Sequence, residues 1–183
     1  GSVVNLRLSD GSQVWSQTIV SPEGRTELDR LADIGQHMVL IASDLIVSSH
    51  KSRVVSLAAD SGRLLWFKDI SSSTGVVVDR TNLAVSEKNG DLWMLDRRNG
   101  STLWKVDQMT NRGLTRPAFY GNYVVVGDKE GYLHWLDSDI GSFVARERAG
   151  KEGFAAAPLS VGTTLYVLTQ DGELMAYRAG AAL

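Results

Sequence analysis

The sequence predicts an all-β fold, a β-propeller of four-stranded antiparallel blades making a partial ring of about four, and three observations predict it. A short pattern recurs five times, its period has room for four short strands, and no segment keeps apolar residues at i, i+3, i+4, i+7 for three turns of helix.

The pattern is Gly-x-hydrophobic-x-x-Leu, then Asp-x-x-x-Gly or a close variant, then an aromatic or apolar residue after a short strand. Residues 1–6 lead to Asp10, Gly11 and Trp15, and residues 52–57 lead to Asp60, Gly62 and Trp66. Residues 90–95 lead to Asp96, Gly100 and Trp104, and residues 131–136 lead to Asp137, Gly141 and Ala145. A fifth copy begins at residues 172–177. The anchors at positions 6, 57, 95, 136 and 177 are separated by 51, 38, 41 and 41 residues. A period of about 40 to 50 residues with four short strands is a propeller blade.

Each copy supplies those strands. In the third, residues 75–78, 82–85, 91–95 and 102–104 are runs rich in β-formers, separated by Asn, Asp and Gly turns. In the fourth, the unbroken apolar run at residues 123–126 suits a strand covered on both faces. The expected layout is one partial propeller domain over 1–183: a blade end at 1–20, a loop at 21–36, blades at about 37–70, 71–110 and 111–150, and a partial blade at 151–183.

Trp15, Trp66 and Trp104 each follow an Asp and Gly turn at the same place in the repeat, so each is expected to pack its ring on the adjacent blade. A ligand cage would need these rings to converge, whereas the repeat spreads them. Asp at each turn caps its own backbone, and Gly accepts positive φ.

Composition narrows the function classes. A net charge of −2 over 183 residues gives no basic field for nucleic acid. With no cysteine there is no disulfide, thiolate nucleophile or thiolate metal site. No stretch approaches the roughly 18 apolar residues of a membrane-spanning helix. The 18 glycines beside 3 prolines fit many tight turns rather than a disordered linker. The opening Gly1-Ser2 reads as a natural turn or a cloning remnant, no signal peptide follows it, and any address label would lie outside the chain.

Catalytic constellations are not found. His37, His50 and His134 are far apart in sequence, and none sits in His-Glu-x-x-His or beside a nucleophile elbow. His134 falls in a strand, where a packed or hydrogen-bonded role outweighs that of a base. Asp137-Ser138-Asp139 before Gly141 resembles the start of a calcium loop, but no glutamate follows at the twelfth position, so turn chemistry is the better reading. No cofactor and no metal is expected.

The excess of the 51-residue spacing falls between Val20 and Gln36. Long connections in a tight repeat carry contacts more often than strands do. This one sets Glu27, Asp29, Arg30 and Asp33 around Leu28 and Leu31, a small apolar anchor with a charged rim. The alternative is a solvated turn with a local ion pair contributing under about 1 kcal/mol.

Because the Trp-Asp dipeptide and Gly-His pair of WD40 repeats are missing, the blade pattern resembles the quinoprotein-type, PQQ-like repeat. Residues 26–34 (TELDRLADI) and 126–135 (VGDKEGYLHW) resemble the corresponding stretches of the BamB family, outer membrane protein assembly factors of Gram-negative bacteria. The resemblance covers essentially the whole chain but only the C-terminal half of a family member, which is an eight-bladed propeller. It implies a periplasmic lipoprotein tethered to the outer membrane, its anchor cysteine and signal peptide belonging to a part not in this chain. It also implies binding to a POTRA domain of BamA and assistance to unfolded outer-membrane protein clients. A partner-binding role passes by resemblance to Asp33 and, beside it, to Leu28, Asp29, Arg30 and Leu31. The sequence departs from the family at Gly35, where a second aspartate is expected.

Two alternatives share the repeat. A quinoprotein dehydrogenase would need about eight blades, a quinone, calcium and often a vicinal disulfide, and this chain has no cysteine and too few blades. A ligand-sensing propeller attached to an output domain is the other. About four blades leave two open faces, each of about 500 Å² and worth roughly 12 kcal/mol of burial at most, so self-association of two copies is a further expectation.

Overall fold

The computed structural model describes residues 1–19, 34–50 and 53–178, with side chains in the third strand described from Met38 onward. Every regular element among them is a β-strand. The chain divides into two compact units, one of Gly1–Val76 with Arg98–Gly100 and one of Val77–Arg97 with Ser101–Leu183.

In the first unit, β1 (Ser2–Leu6) pairs antiparallel with β2 (Gln13–Thr18). A four-stranded meander follows: β3 (Ile34–Ile41), β4 (Asp44–Ser49), β5 (Val54–Ala58) and β6 (Leu64–Lys68). Strand β3 begins inside the span expected for the loop, because Ile34 already pairs with Ser49 ahead of a register shift before Met38. Val3 and Ile19 from the first sheet pack with Val47, Val55 and Leu57 from the second, with Trp15 and Leu45 against them.

The second unit contains two further four-stranded meanders and a three-stranded one. The first runs through β7 (Val76–Val78), β8 (Asn82–Ser86), β9 (Leu92–Asp96) and β10 (Thr102–Val106). The next runs through β11 (Ala118–Tyr120), β12 (Tyr123–Gly127), β13 (Tyr132–Asp137) and β14 (Phe143–Arg148). The last has β15 (Leu159–Val161), β16 (Thr164–Leu168) and β17 (Leu174–Tyr177).

Burial follows from the two-residue period of a strand. Along β12, Val124 and Val126 face the preceding sheet, where they join Ala84, Leu92, Met94 and Trp104. Val125 between them faces the following sheet and meets Leu165 and Val167. Middle strands therefore bury both faces, which is why they read as unbroken apolar runs. Outer strands do not: β6 and β10 each bury one residue, the tryptophan.

The turn between the third and fourth strands is built the same way four times. Gly11, Gly62, Gly100 and Gly141 all have φ of 70 to 72°, a conformation that costs a residue with a Cβ about 1 kcal/mol or more. Each pair of strands that the turn joins also shifts register beside it, at Asn5/Leu6, Ser56/Leu57, Thr102/Trp104 and Trp135/Leu136. Such a bulge adds twist to the outer strand.

Candidate functional site

Residues Leu28, Asp29, Arg30, Leu31 and Asp33, the expected partner-binding set, lie outside the described residues. On one side the buried Ile19, after β2, donates its amide to the Gly1 carbonyl at 2.9 Å, and on the other the described residues resume with β3 at Ile34.

The three repeat tryptophans make one contact three times. The Trp15 ring lies over Gly62, so close that a Cβ there would sit 2.6 Å from it, and the indole Nε1 donates to the Ala59 carbonyl at 3.1 Å. Within the second unit the Trp104 ring covers Gly141, with 2.7 Å left for a Cβ, and its Nε1 donates to the Ser138 carbonyl at 2.9 Å. Trp66 covers Gly100 in the same way, at 2.5 Å. In each case an outer-strand indole sits on the bare backbone of a following turn, and where its N–H bond is described, the acceptor is the carbonyl three residues before the glycine.

Gly11 has the same φ as Gly62 but nothing within 4 Å of its would-be Cβ. Alanine at Gly11 therefore tests backbone strain alone, whereas alanine at Gly62 also displaces Trp15. Urea denaturation is expected to give a loss of about 1 kcal/mol for Gly11→Ala and up to about 3 kcal/mol for Gly62→Ala. Equal losses would mean that the ring contact adds nothing.

The fourth copy breaks the rule. Ala145 stands where the other copies have tryptophan, and β14 is exposed along its whole length. Its cross-strand partner is Trp135, which packs edge-on against Tyr120, Tyr123 and Tyr177 at centroid distances of 5.6, 6.2 and 6.2 Å. The indole has moved one strand inward and still packs against the next sheet through Leu165 and Val167.

Sequence reasoning missed the polar centre of the second unit. Asp128, directly after β12, has a fully buried side chain that accepts four hydrogen bonds. His134 Nε2 and an Arg112 guanidinium nitrogen each reach Oδ2 at 2.8 Å, and the Glu130 and Tyr132 amides reach Oδ1 at 2.9 and 3.0 Å. Burial alone would raise this carboxyl, but the bonds from His134, the Tyr132 amide, Arg112 and the Glu130 amide outweigh it and hold it below the ordinary carboxylate value. His134 itself is buried and hydrogen-bonded. The Asp137 turn accepts the amides of Asp139 and Ile140 at 2.9 and 3.1 Å, an Asx turn. Among the described residues no three His, Cys, Asp or Glu side chains converge as metal ligands would.

A family model described as outer membrane protein assembly factor BamB matches residues 1–106 and again residues 99–182. The chain belongs to the BamB family. BamB of Pseudomonas aeruginosa is 41% identical over 177 residues, which is 97% of this chain and 47% of that protein. BamB of Xanthomonas campestris pv. campestris is 39% identical over 97% of this chain and 44% of its own length. The chain thus spans about half the length of the curated BamB relatives it matches. The crystal structure of BamB from Moraxella catarrhalis superposes with a TM-score of 0.87 at 24% identity, over 98% of this chain and 53% of that one. The fold is therefore the β-propeller, and its sheets are PQQ-like blades.

Proposed function

We propose that the protein is a non-enzymatic scaffold subunit of the machinery that assembles β-barrel proteins in the outer membrane. In this reading it works on the periplasmic face, held there as a lipoprotein, and grips a POTRA domain of BamA while unfolded barrel proteins are inserted. The observation that carries it is the match of a BamB family model along nearly the entire chain.

The contact is assigned to the connection between β2 and β3, with Asp33 at its centre and Leu28, Asp29, Arg30 and Leu31 beside it. The 51-residue spacing supports this: β2 and β4 match their counterparts to within a residue, and β3, with eight residues against three in β7 and β11, takes up only part of the excess. Trp15, Trp66 and Trp104 serve as structural pins in this reading, and Trp15 holds the sheet before the connection to the sheet after it. With Gly35 where the family has a second acid, the contact relies on fewer charges.

Asp33→Arg is expected to weaken binding of the protein to isolated BamA POTRA domains about tenfold, which is about 1.4 kcal/mol, with no change in melting temperature. Calorimetry giving an unchanged affinity would remove the assignment.

A further inference from the structure

The third and fourth copies align residue for residue at an offset of 41, and comparing them isolates one place where the fourth has a smaller ring for the indole and has lost a charge partner. In the third copy the Trp93 indole donates to Glu87 at 2.9 Å. Lys105 lies 4.6 Å above that ring and pairs with the buried Asp91 at 2.6 Å. The corresponding residues of the fourth copy are His134, Asp128, Arg146 and Tyr132. The acid that holds the outer-strand cation has become a phenol, and Arg146 now stacks on the Tyr132 ring at 4.8 Å with no carboxylate partner among the described residues. The indole has become an imidazole, which is smaller.

A cavity of about 440 Å³ opens at this place, between the connection after β10 and strands β13 and β14. Its walls include Arg146, Arg112 and His134 as polar groups and Met109, Phe143 and Val144 as apolar ones. That size lies within the ordinary range for small-molecule sites. Because Asp128 is an acceptor only, the His134 Nε2 facing it carries the proton. Nδ1 is then the ring's remaining nitrogen, and among the described residues none bonds it. The Asp128 charge does not repel an anion strongly, since Arg112 and three further donors occupy its oxygens.

We propose that this cavity binds a small aromatic carboxylate. The carboxylate takes the place at Arg146 that Asp91 takes at Lys105, and the flat apolar body fills the volume left by the missing indole, against Phe143 and Met109. The Phe143 ring, 40% exposed and edge-on to His134 at 6.1 Å, offers the ligand a free aromatic surface. Charge-assisted hydrogen bonds to a guanidinium supply the specificity for the anion.

Phenylacetate is the probe. Titrated into the protein labelled with 15N-histidine, it is expected to shift the His134 side-chain signals saturably, those signals being assigned by their loss in His134→Gln. The neutral analogue 2-phenylethanol, at equal concentration, is expected to leave them in place. Arg146→Gln should weaken phenylacetate about tenfold, and so should Tyr132→Asp, which restores to Arg146 the internal partner that Lys105 has. Failure of phenylacetate to move His134, equal binding of the alcohol, or an unchanged affinity in either folded variant would overturn the proposal. Arg146 lies on the exposed strand β14, so its variant folds and decides the matter even if Tyr132→Asp does not.

Discussion

Trp104→Ala is expected to lower the unfolding free energy by about 3–5 kcal/mol, the range for deleting a large buried aromatic. The side chain is 9% exposed, joins Met94, Val124 and Leu136 in one apolar cluster, covers the Gly141 turn and gives its N–H to Ser138. Its removal takes away the packing of one sheet on the next and leaves the bare turn uncovered. Trp104→Phe should recover part of the loss, since the ring returns without its donor. Urea denaturation followed by circular dichroism measures both, and a loss under about 1 kcal/mol for Trp104→Ala would mean that the sheets are held together by other contacts.

Asp128→Ala is expected to cost a similar amount, about 3–5 kcal/mol, because it strands partners of a buried charge. Arg112 and His134 lose their common acceptor, and the Glu130 and Tyr132 amides lose theirs. Asp128→Asn keeps an acceptor for the amides and should cost less. The carboxyl is held below its ordinary value in the folded protein. Its contribution is therefore complete above the unfolded value, near pH 4, and is lost as pH falls through the lower folded value. Acid titration of stability should show a steep fall below about pH 4 that Asp128→Asn flattens. An Asp128→Asn variant with the same acid profile as the parent would contradict this account.

The fold was legible because it repeats. One copy of residues 90–104 says little, but the same spacing at 131–145, with Asp and Gly again at fixed offsets, makes a common turn necessary, and both turns have Gly at φ of 72°. The runs read as strands at 82–85 and 123–126 are β8 and β12, each longer by one residue. The Asp128 centre was not legible, because its partners come from three places: Arg112 before β11, His134 in β13, and amides of the intervening turn. Only pairing β12 with β13 brings Asp128 and His134 together, with Val126 opposite His134. A signal was present in the offset of 41 that sets Glu87 and Trp93 against Asp128 and His134, but a donor and acceptor swapped as a pair are visible only once one pair is known to bond. Trp135 is a similar case, since its shift from the outer strand makes sense only with Ala145 opposite it.

Hydrogen exchange of the protein with and without the POTRA domains of BamA measures the central claim most directly. Binding through the connection between β2 and β3 predicts new protection concentrated in residues 20–33, with the blade strands unchanged. Protection that falls on the blades instead, or none at saturating POTRA domain, would contradict the proposed scaffold role of that segment.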